Sequence, residues 1–205
     1  MMTGVILAGG MNRRMGGRLK ALLPVQGKPL IVRQLEEMAI CCPEILVVTN
    51  AQDALQPYLD SVKAANVRCI GDQFTGTGPL GGIHAAAQAA GEALMWVVGC
   101  DMPYISSAAA VAMERIVKAR NCEAAIPALE GRLHPLHGLY TRVIGAKAET
   151  LLASGQYRLM GLLEQLDWSE LDAPFFAQYG IGTNFAANMN TPEQYKELLG
   201  FCQEI

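Results

Sequence analysis

Two runs in this chain, Val5–Ala8 and Leu94–Val98, are apolar at every position, and Glu44–Thr49 carries Ile-Leu-Val-Val at its centre. A strand with one wet face alternates polar and apolar residues, so a run without alternation belongs to a strand buried on both faces. Longer stretches of helical character separate these runs. Leu30–Ala39 has apolar residues at 30, 31, 35, 38 and 39, one helical face, with Pro29 suited to the first turn. Ala54–Ala65 reads as a second helix, Val67–Ile70 as a short strand, and the alanine-rich Gly82–Ala90 as a helix packed closely on a sheet. Ser106 or Ser107 can cap a helix that runs to about Ala119. Doubly buried strands alternating with helices predict an α/β fold: three-layer and Rossmann-like, a mainly parallel sheet with helices on both faces.

Past Cys122 the pattern loosens. Ala124–Leu129 and Leu136–Tyr140 read as strands, Val143–Ala153 as a helix ended by Ser154-Gly155, and the region from Leu159 to Leu166 as a further helix. Thr191 is placed to cap the last helix, with Pro192 in its first position and Gln194 closing a capping box. No repeat, low-complexity tract or linker interrupts the chain, and the expectation is one domain over residues 1–205.

The chain has 205 residues, enough to bury a core without staples. With 51% apolar and 17% charged residues it is excluded from the disordered class. A net charge of −3 and the lack of a basic tract argue against a nucleic-acid partner. The longest apolar stretch, Ala93–Cys100, is too short to span a membrane. The first arginines follow the opening apolar run instead of preceding it, unlike a signal peptide. Six cysteines without C-x-x-C spacing read as reduced, mostly buried thiols. These features together predict a cytoplasmic protein.

Three loops carry candidate chemistry. The first, Leu7-Ala8-Gly9-Gly10 through Lys20, places four glycines directly after the first strand, where backbone N–H groups can face a polyphosphate. Arg14 and Lys20 add fixed positive charge, whereas Arg13 and Arg18 suit solvent. The spacing is neither that of a Walker A loop nor that of a G-x-G-x-x-G fingerprint. The second loop is Gly99-Cys100-Asp101-Met102-Pro103, a lone carboxylate at the end of the strand from Leu94. Ligands of open α/β sheets bind at such strand ends. Beside a triphosphate, this carboxylate would hold Mg²⁺, which keeps several waters and needs few protein ligands. The third is Asp72–Gly82, with Gly76-Thr77-Gly78-Pro79-Leu80-Gly81-Gly82 at its heart, a shaped loop that could line a base or ribose pocket. Each loop alone also reads as an ordinary turn; their common position at strand ends links them.

Two further features are weaker. In His134-Pro135-Leu136-His137 the proline opposes a helix and no third metal ligand is evident, so the histidines read as strand-edge or substrate-contacting residues. Asn188 and Asn190 precede the last helix, where asparagine commonly serves turns.

Together these segments resemble the molybdenum cofactor guanylyltransferases, within the larger family of sugar-nucleotide-type nucleotidyltransferases. The resemblance rests on Leu7-Ala8-Gly9-Gly10, Arg14-Met15-Gly16, Lys20, Gly27-Lys28-Pro29-Leu30, Gly78-Pro79-Leu80-Gly81-Gly82-Ile83, Cys100-Asp101-Met102-Pro103 and Asn188–Glu193, in family order. It implies that GMP is transferred from GTP to the terminal phosphate of molybdopterin, with release of pyrophosphate, in a monomer or weak oligomer. It also implies that Leu7, Ala8, Gly9, Gly10, Gly16 and Lys20 hold GTP with Gly78, Pro79 and Leu80, while Asn50 and Asp72 help place the nucleoside. Asp101 would bind Mg²⁺ and act in catalysis with Lys20 and Arg14; Asn190 and His134 would face the acceptor.

The chain departs from the family at Leu19, often aspartate, at Asn12, often serine, and at His134 and His137, which lie in a Q-P-L-x-x-L-Y-like run. These departures touch the acceptor side more than the nucleotide side. Cytidylyl relatives tend to read L-A-A-G where this chain has Leu7-Ala8-Gly9-Gly10, which favours guanine. The alternatives are cytidylyl or guanylyl transfer to another phosphorylated acceptor, and a non-catalytic nucleotide-binding protein.

Overall fold

The computed structural model describes residues 1–9, 19–74, 76–189, 191 and 193–195. In chain order the elements are β1 (Thr3–Leu7), a 3-10 turn (Lys20–Leu22), β2 (Pro24–Val25), β3 (Lys28–Pro29), α1 (Leu30–Met38), β4 (Glu44–Val48) and α2 (Gln52–Leu59). Then follow β5 (Asn66–Ile70), α3 (Pro79–Ala89), β6 (Leu94–Gly99), α4 (Ser107–Arg120), β7 (Ala124–Leu129), β8 (Arg132–Leu133) and β9 (Gly138–Thr141). The chain continues through α5 (Ile144–Ala153), α6 (Leu159–Leu163), β10 (Trp168–Asp172), α7 (Ala173–Ala177) and a 3-10 turn (Asn184–Ala186).

The main sheet has the order β10-β7-β9-β6-β1-β4-β5, with β8 added on β7. Strands β6, β1, β4 and β5 are mutually parallel, as are β7 and β10. Between these blocks β9 runs antiparallel to both β6 and β7. Every residue of β1 and β6 is buried, as their lack of alternation predicts. Successive side chains take opposite faces. Ile6, Ile45, Val47, Trp96 and Val98 pack with α1, α2, α4 and α7, while Val5, Leu46, Val48, Met95 and Val97 pack with α3, α5 and α6. The expected three layers are present.

The small residues of α3 allow close packing. A Cβ on Gly82 would lie 2.9 Å from Leu7 Cδ2, and one on Gly145 of α5 would lie 2.9 Å from Ala87 Cβ. Helix α3 starts at Pro79 and not at Gly82, because Gly78 turns the chain at φ +68° and proline takes the first helical position. Helix α2 spans Gln52–Leu59 and not Ala54–Ala65. Its last carbonyls are taken by tight-turn bonds, Ser61 N–H to Tyr58 O at 3.3 Å and Val62 N–H to Leu59 O at 3.2 Å. The Ser61 hydroxyl also donates to Tyr58 O at 2.6 Å. Strand β9 begins at Gly138 instead of Leu136, since Pro135 O is turned to accept from the Tyr140 hydroxyl at 2.8 Å. Helix α6 stops at Leu163, where Leu166 N–H closes a turn on Leu163 O at 3.1 Å.

Two units have no counterpart in the sequence reading. The β2–β3 hairpin turns through Gln26 and Gly27, at φ +50° and +77°. The β10–α7 unit is capped by Asp172, whose Oδ1 accepts from Phe175 N–H at 2.9 Å. Ser106 caps α4 by accepting from Ala109 N–H at 3.2 Å. The capping box at the last helix is formed: Thr191 Oγ1 accepts from Gln194 N–H, and Gln194 Oε1 accepts from Thr191 N–H, both at 3.2 Å. Pro192 lies outside the described residues. Among the described residues no helix is long and apolar enough to cross a membrane.

Candidate active site

Parallel strands present their carboxyl ends along one edge, where ligands of open α/β sheets bind. Here Ala8-Gly9 follows β1, Thr49-Asn50 follows β4, Gly71-Asp72 follows β5 and Cys100-Asp101 follows β6. The fold brings two candidates into direct contact on this edge. Lys20 Nζ lies 3.5 Å from Asp101 Oδ2, across 81 positions of sequence, and both side chains are largely buried. Lys20 opens the 3-10 turn, which is anchored by Ala21 in the core.

The Asp101 turn is held from four sides. Cys100 N–H donates to Leu7 O at 3.1 Å, and Met102 N–H donates to Gly99 O at 3.3 Å. From α1, Gln34 Nε2 donates to both Gly99 O and Met102 O, each at 2.9 Å. Met189 N–H donates to Asp101 O at 2.8 Å. The Met102 side chain is wholly buried and anchors the far end of the turn. At Gly99 a Cβ would lie 2.7 Å from Asp101 Oδ1, so glycine is what lets the carboxylate fold back over its own strand. Burial pushes the Cys100 thiol up to about 12; the Asp101 carboxylate adds to this and Lys20 opposes it. The sulfur is therefore a neutral thiol at physiological pH, not a nucleophile.

The other predicted nucleotide residues fall around this pair unequally. Ala8 N–H donates to Val48 O at 2.9 Å, and Ala8 O accepts from the Thr49 hydroxyl at 3.3 Å, so β1 and β4 stay joined past their ends. Gly9 and Asn50 are exposed. Asp72 Oδ1 accepts from Phe74 N–H at 2.8 Å. A Cβ on Gly81 would lie 2.7 and 2.8 Å from the two Asp72 oxygens, so this glycine lets the carboxylate close on the first turn of α3. Gly78 and Pro79 are exposed at that turn, whereas the Leu80 side chain is wholly buried in the core. Leu80 can therefore meet a ligand through its backbone alone. Leu7 is likewise nearly buried and packs against Gly82. Gly10, Arg14, Gly16 and Asn190 lie outside the described residues.

The two histidines separate. His134 is half-buried and its N–H donates to Pro127 O at 2.8 Å. His137 is wholly buried: its Nε2 accepts from Ser106 N–H at 3.2 Å, and its ring lies 5.3 Å from Trp96 and 4.6 Å from Phe185. Burial pushes its pKa down to about 3, with His134 contributing, so the ring stays neutral. Among the described residues no group of three or more His, Cys, Asp or Glu side chains is placed to hold a metal ion. The sequence reading missed Gln34, Thr49 and Met189. For Gln34 a signal exists, since position 34 falls within the apolar stripe of Ile31, Leu35 and Met38.

Comparison with known proteins points to one family. The model of the MobA-like NTP transferase domain matches residues 4–170. A protein of Chloroflexus aggregans named "Probable molybdenum cofactor guanylyltransferase" is 32% identical over 203 residues, which cover 96% of this chain and 92% of that protein. The molybdenum cofactor guanylyltransferase of Vibrio parahaemolyticus is 31% identical over 194 residues, 93% of this chain and 91% of the relative. In fold, the chain is similar to the crystal structure of molybdopterin-guanine dinucleotide biosynthesis protein A from Archaeoglobus fulgidus, with a TM-score of 0.82 at 23% identity over all of both chains. With a sheet edge carrying the Lys20–Asp101 pair and matches along nearly its whole length, the chain belongs to the MobA-like NTP transferase family.

Proposed function

We propose that this chain is a molybdenum cofactor guanylyltransferase, which transfers GMP from GTP to the terminal phosphate of molybdopterin and releases pyrophosphate. The observation that carries the reading is the Lys20–Asp101 pair, one cation and one carboxylate 3.5 Å apart where β1 and β6 end. Nucleotidyl transfer needs little more from the protein than this. An oxygen of the acceptor phosphate forms a new bond to the α-phosphorus of GTP, and the bond from that phosphorus to the bridging oxygen of the β-phosphate breaks. The departing pyrophosphate takes the electron pair. Positioning and charge neutralisation supply most of the acceleration in such reactions. The acceptor is a phosphate monoester, largely ionised near neutral pH, so no general base is required.

Lys20 places its charge where the triphosphate would lie and neutralises charge that moves toward the leaving group. The backbone at Gly9 is open to a nucleotide, since among the described residues a Cβ there would meet nothing within 4 Å. Asp101 fits Mg²⁺: its lone carboxylate suits an ion that keeps several waters and takes other oxygens from substrate phosphates. When bound, that ion would draw charge off the triphosphate. Leu136 brings the His134–His137 segment to the same edge, since a Cβ on Gly99 would lie 3.7 Å from Leu136 Cδ1. This supports an acceptor site beside Asp101 with His134 on its rim.

The test is incubation with each of the four nucleoside triphosphates, Mg²⁺ and molybdopterin, with pyrophosphate as readout. GTP alone is expected to support release, and only when both molybdopterin and Mg²⁺ are present. Preference for CTP would make the chain a cytidylyltransferase. Failure of all four would overturn the reading.

A further inference from the structure

Gln34 is a polar side chain in a position built for an apolar one. It lies in the inward stripe of α1 and is 1% exposed. Its Oε1 has no hydrogen-bond partner among the described residues, which costs stability because a buried acceptor has given up water for nothing. Leucine or methionine would fill the same space without that loss. What the amide does offer is its two N–H groups. Both point at the turn that carries Asp101: Nε2 is 2.9 Å from Gly99 O and 2.9 Å from Met102 O, the carbonyls on either side of Cys100-Asp101. The orientation is enforced, since the flipped amide would set its oxygen against two carbonyl oxygens at the same distances.

We infer that Gln34 is a positioning residue for the reaction, clamping both ends of the Gly99–Met102 turn so that the Asp101 carboxylate is held at a fixed height above β6. The inference rests on the functional reading above. Other bonds constrain this turn only in part: Cys100 N–H ties its start to β1, and Met189 N–H ties Asp101 O to the segment before the last helix. Met102 N–H closes the turn on Gly99 O from within, and among the described residues Gln34 alone bonds both of its ends from a helix rooted in the core. Gly99 lacks a side chain to stiffen the turn from within, and the carboxylate sits where a Cβ there would clash. A lone carboxylate that must meet both a metal ion and Lys20 gains from such a clamp, because displacements near 1 Å at a reacting centre cost about 100-fold in rate.

The experiment compares wild type with Gln34→Met, which keeps the volume and removes both donors, and with Gln34→Asn, which draws the donors back by one methylene. Asp101→Asn sets the level without the carboxylate, and Leu35→Ala serves as a core-destabilised control on the same helix. Four quantities are read: kcat; the KM for GTP; Mn²⁺ affinity in the presence of GTP, from the electron paramagnetic resonance of unbound Mn²⁺; and hydrogen exchange at the amides of residues 99–102. Gln34→Met is expected to lower kcat about 10- to 100-fold, with the KM for GTP within about twofold. Mn²⁺ affinity should fall toward the Asp101→Asn level, exchange in the turn should quicken, and Gln34→Asn should lie between. Leu35→Ala should melt earlier while keeping kcat and Mn²⁺ affinity at low temperature. Wild-type kcat and Mn²⁺ affinity in Gln34→Met would overturn the positioning role, as would losses that Leu35→Ala reproduces. If Gln34→Met does not fold, Gln34→Asn decides by the same criteria. Absence of pyrophosphate release from the wild type overturns the functional reading itself and is distinguished by that control.

Discussion

Lys20 and Asp101 owe their contact to two unrelated local devices. A 3-10 turn rooted by Ala21 presents the lysine, and a glycine that leaves room for Oδ1 presents the carboxylate. The two substitutions have different signatures. Lys20→Ala is expected to cost about 2–4 kcal/mol of transition-state stabilisation, the scale of one electrostatic contact aimed at developing charge. Steady-state kinetics check this; kcat and KM both near wild type would make Lys20 a bystander. Asp101→Asn should abolish turnover with an unchanged melting temperature, because the amide keeps the shape and loses the charge. These two residues were legible in the sequence because each closes a glycine-bearing loop after an unmistakable strand. Gln34 was legible only as a polar residue in an apolar stripe: its task is to bond two carbonyls on another element, and nothing in the sequence around residue 34 names them. Leu80 shows the opposite limit: its loop was legible, but only the fold shows that its side chain points into the core.

At the scale of elements, His137 joins β9 to the first turn of α4 through Ser106 N–H, and its ring packs between Trp96 and Phe185. The ring is neutral in the fold, with its pKa pushed down to about 3 by burial. In the unfolded chain it titrates near its ordinary value of about 6.5. Below that value the unfolded state binds a proton that the folded state refuses, so stability falls as pH drops from the ordinary value toward the folded one. Urea unfolding should therefore show a loss of about 2 kcal/mol between about pH 7 and about pH 5. His137→Gln, whose amide oxygen can still accept from Ser106, should flatten this dependence; an unchanged slope would contradict it. The carboxylates held low by hydrogen bonds against the opposing effect of burial, such as Glu44 and Glu123, titrate below this window. Sequence periodicity located β1, α1, β4, β6 and α4 well because each buries a long continuous face. It overran α2, where local bonds at Ser61 and Val62 end the helix, and it passed over β10, whose alternating Ser169, Glu170, Leu171 and Asp172 belong to a strand at the sheet's edge.

For the whole molecule, the parallel arrangement of β1, β4, β5 and β6 is what converts four separate loops into one edge. The antiparallel β9 adds to it from the other side. Gly138 pairs with Val97, so the His134–His137 segment enters at the edge where β6 ends. A nucleotide side near β1, β4 and β5 and an acceptor side near β9 would then flank Asp101. The inserted strand was legible but its antiparallel direction was not, because Leu136–Tyr140 is apolar enough for either direction. The most direct test of this account follows the phosphates of GTP in the presence of molybdopterin and Mg²⁺. With GTP labelled at the α-phosphorus, the label is expected in a molybdopterin–guanine dinucleotide, the β- and γ-phosphates should leave together as pyrophosphate, and Asp101→Asn should yield neither product. Release of the γ-phosphate alone, or an α-label that never joins the acceptor, would contradict it.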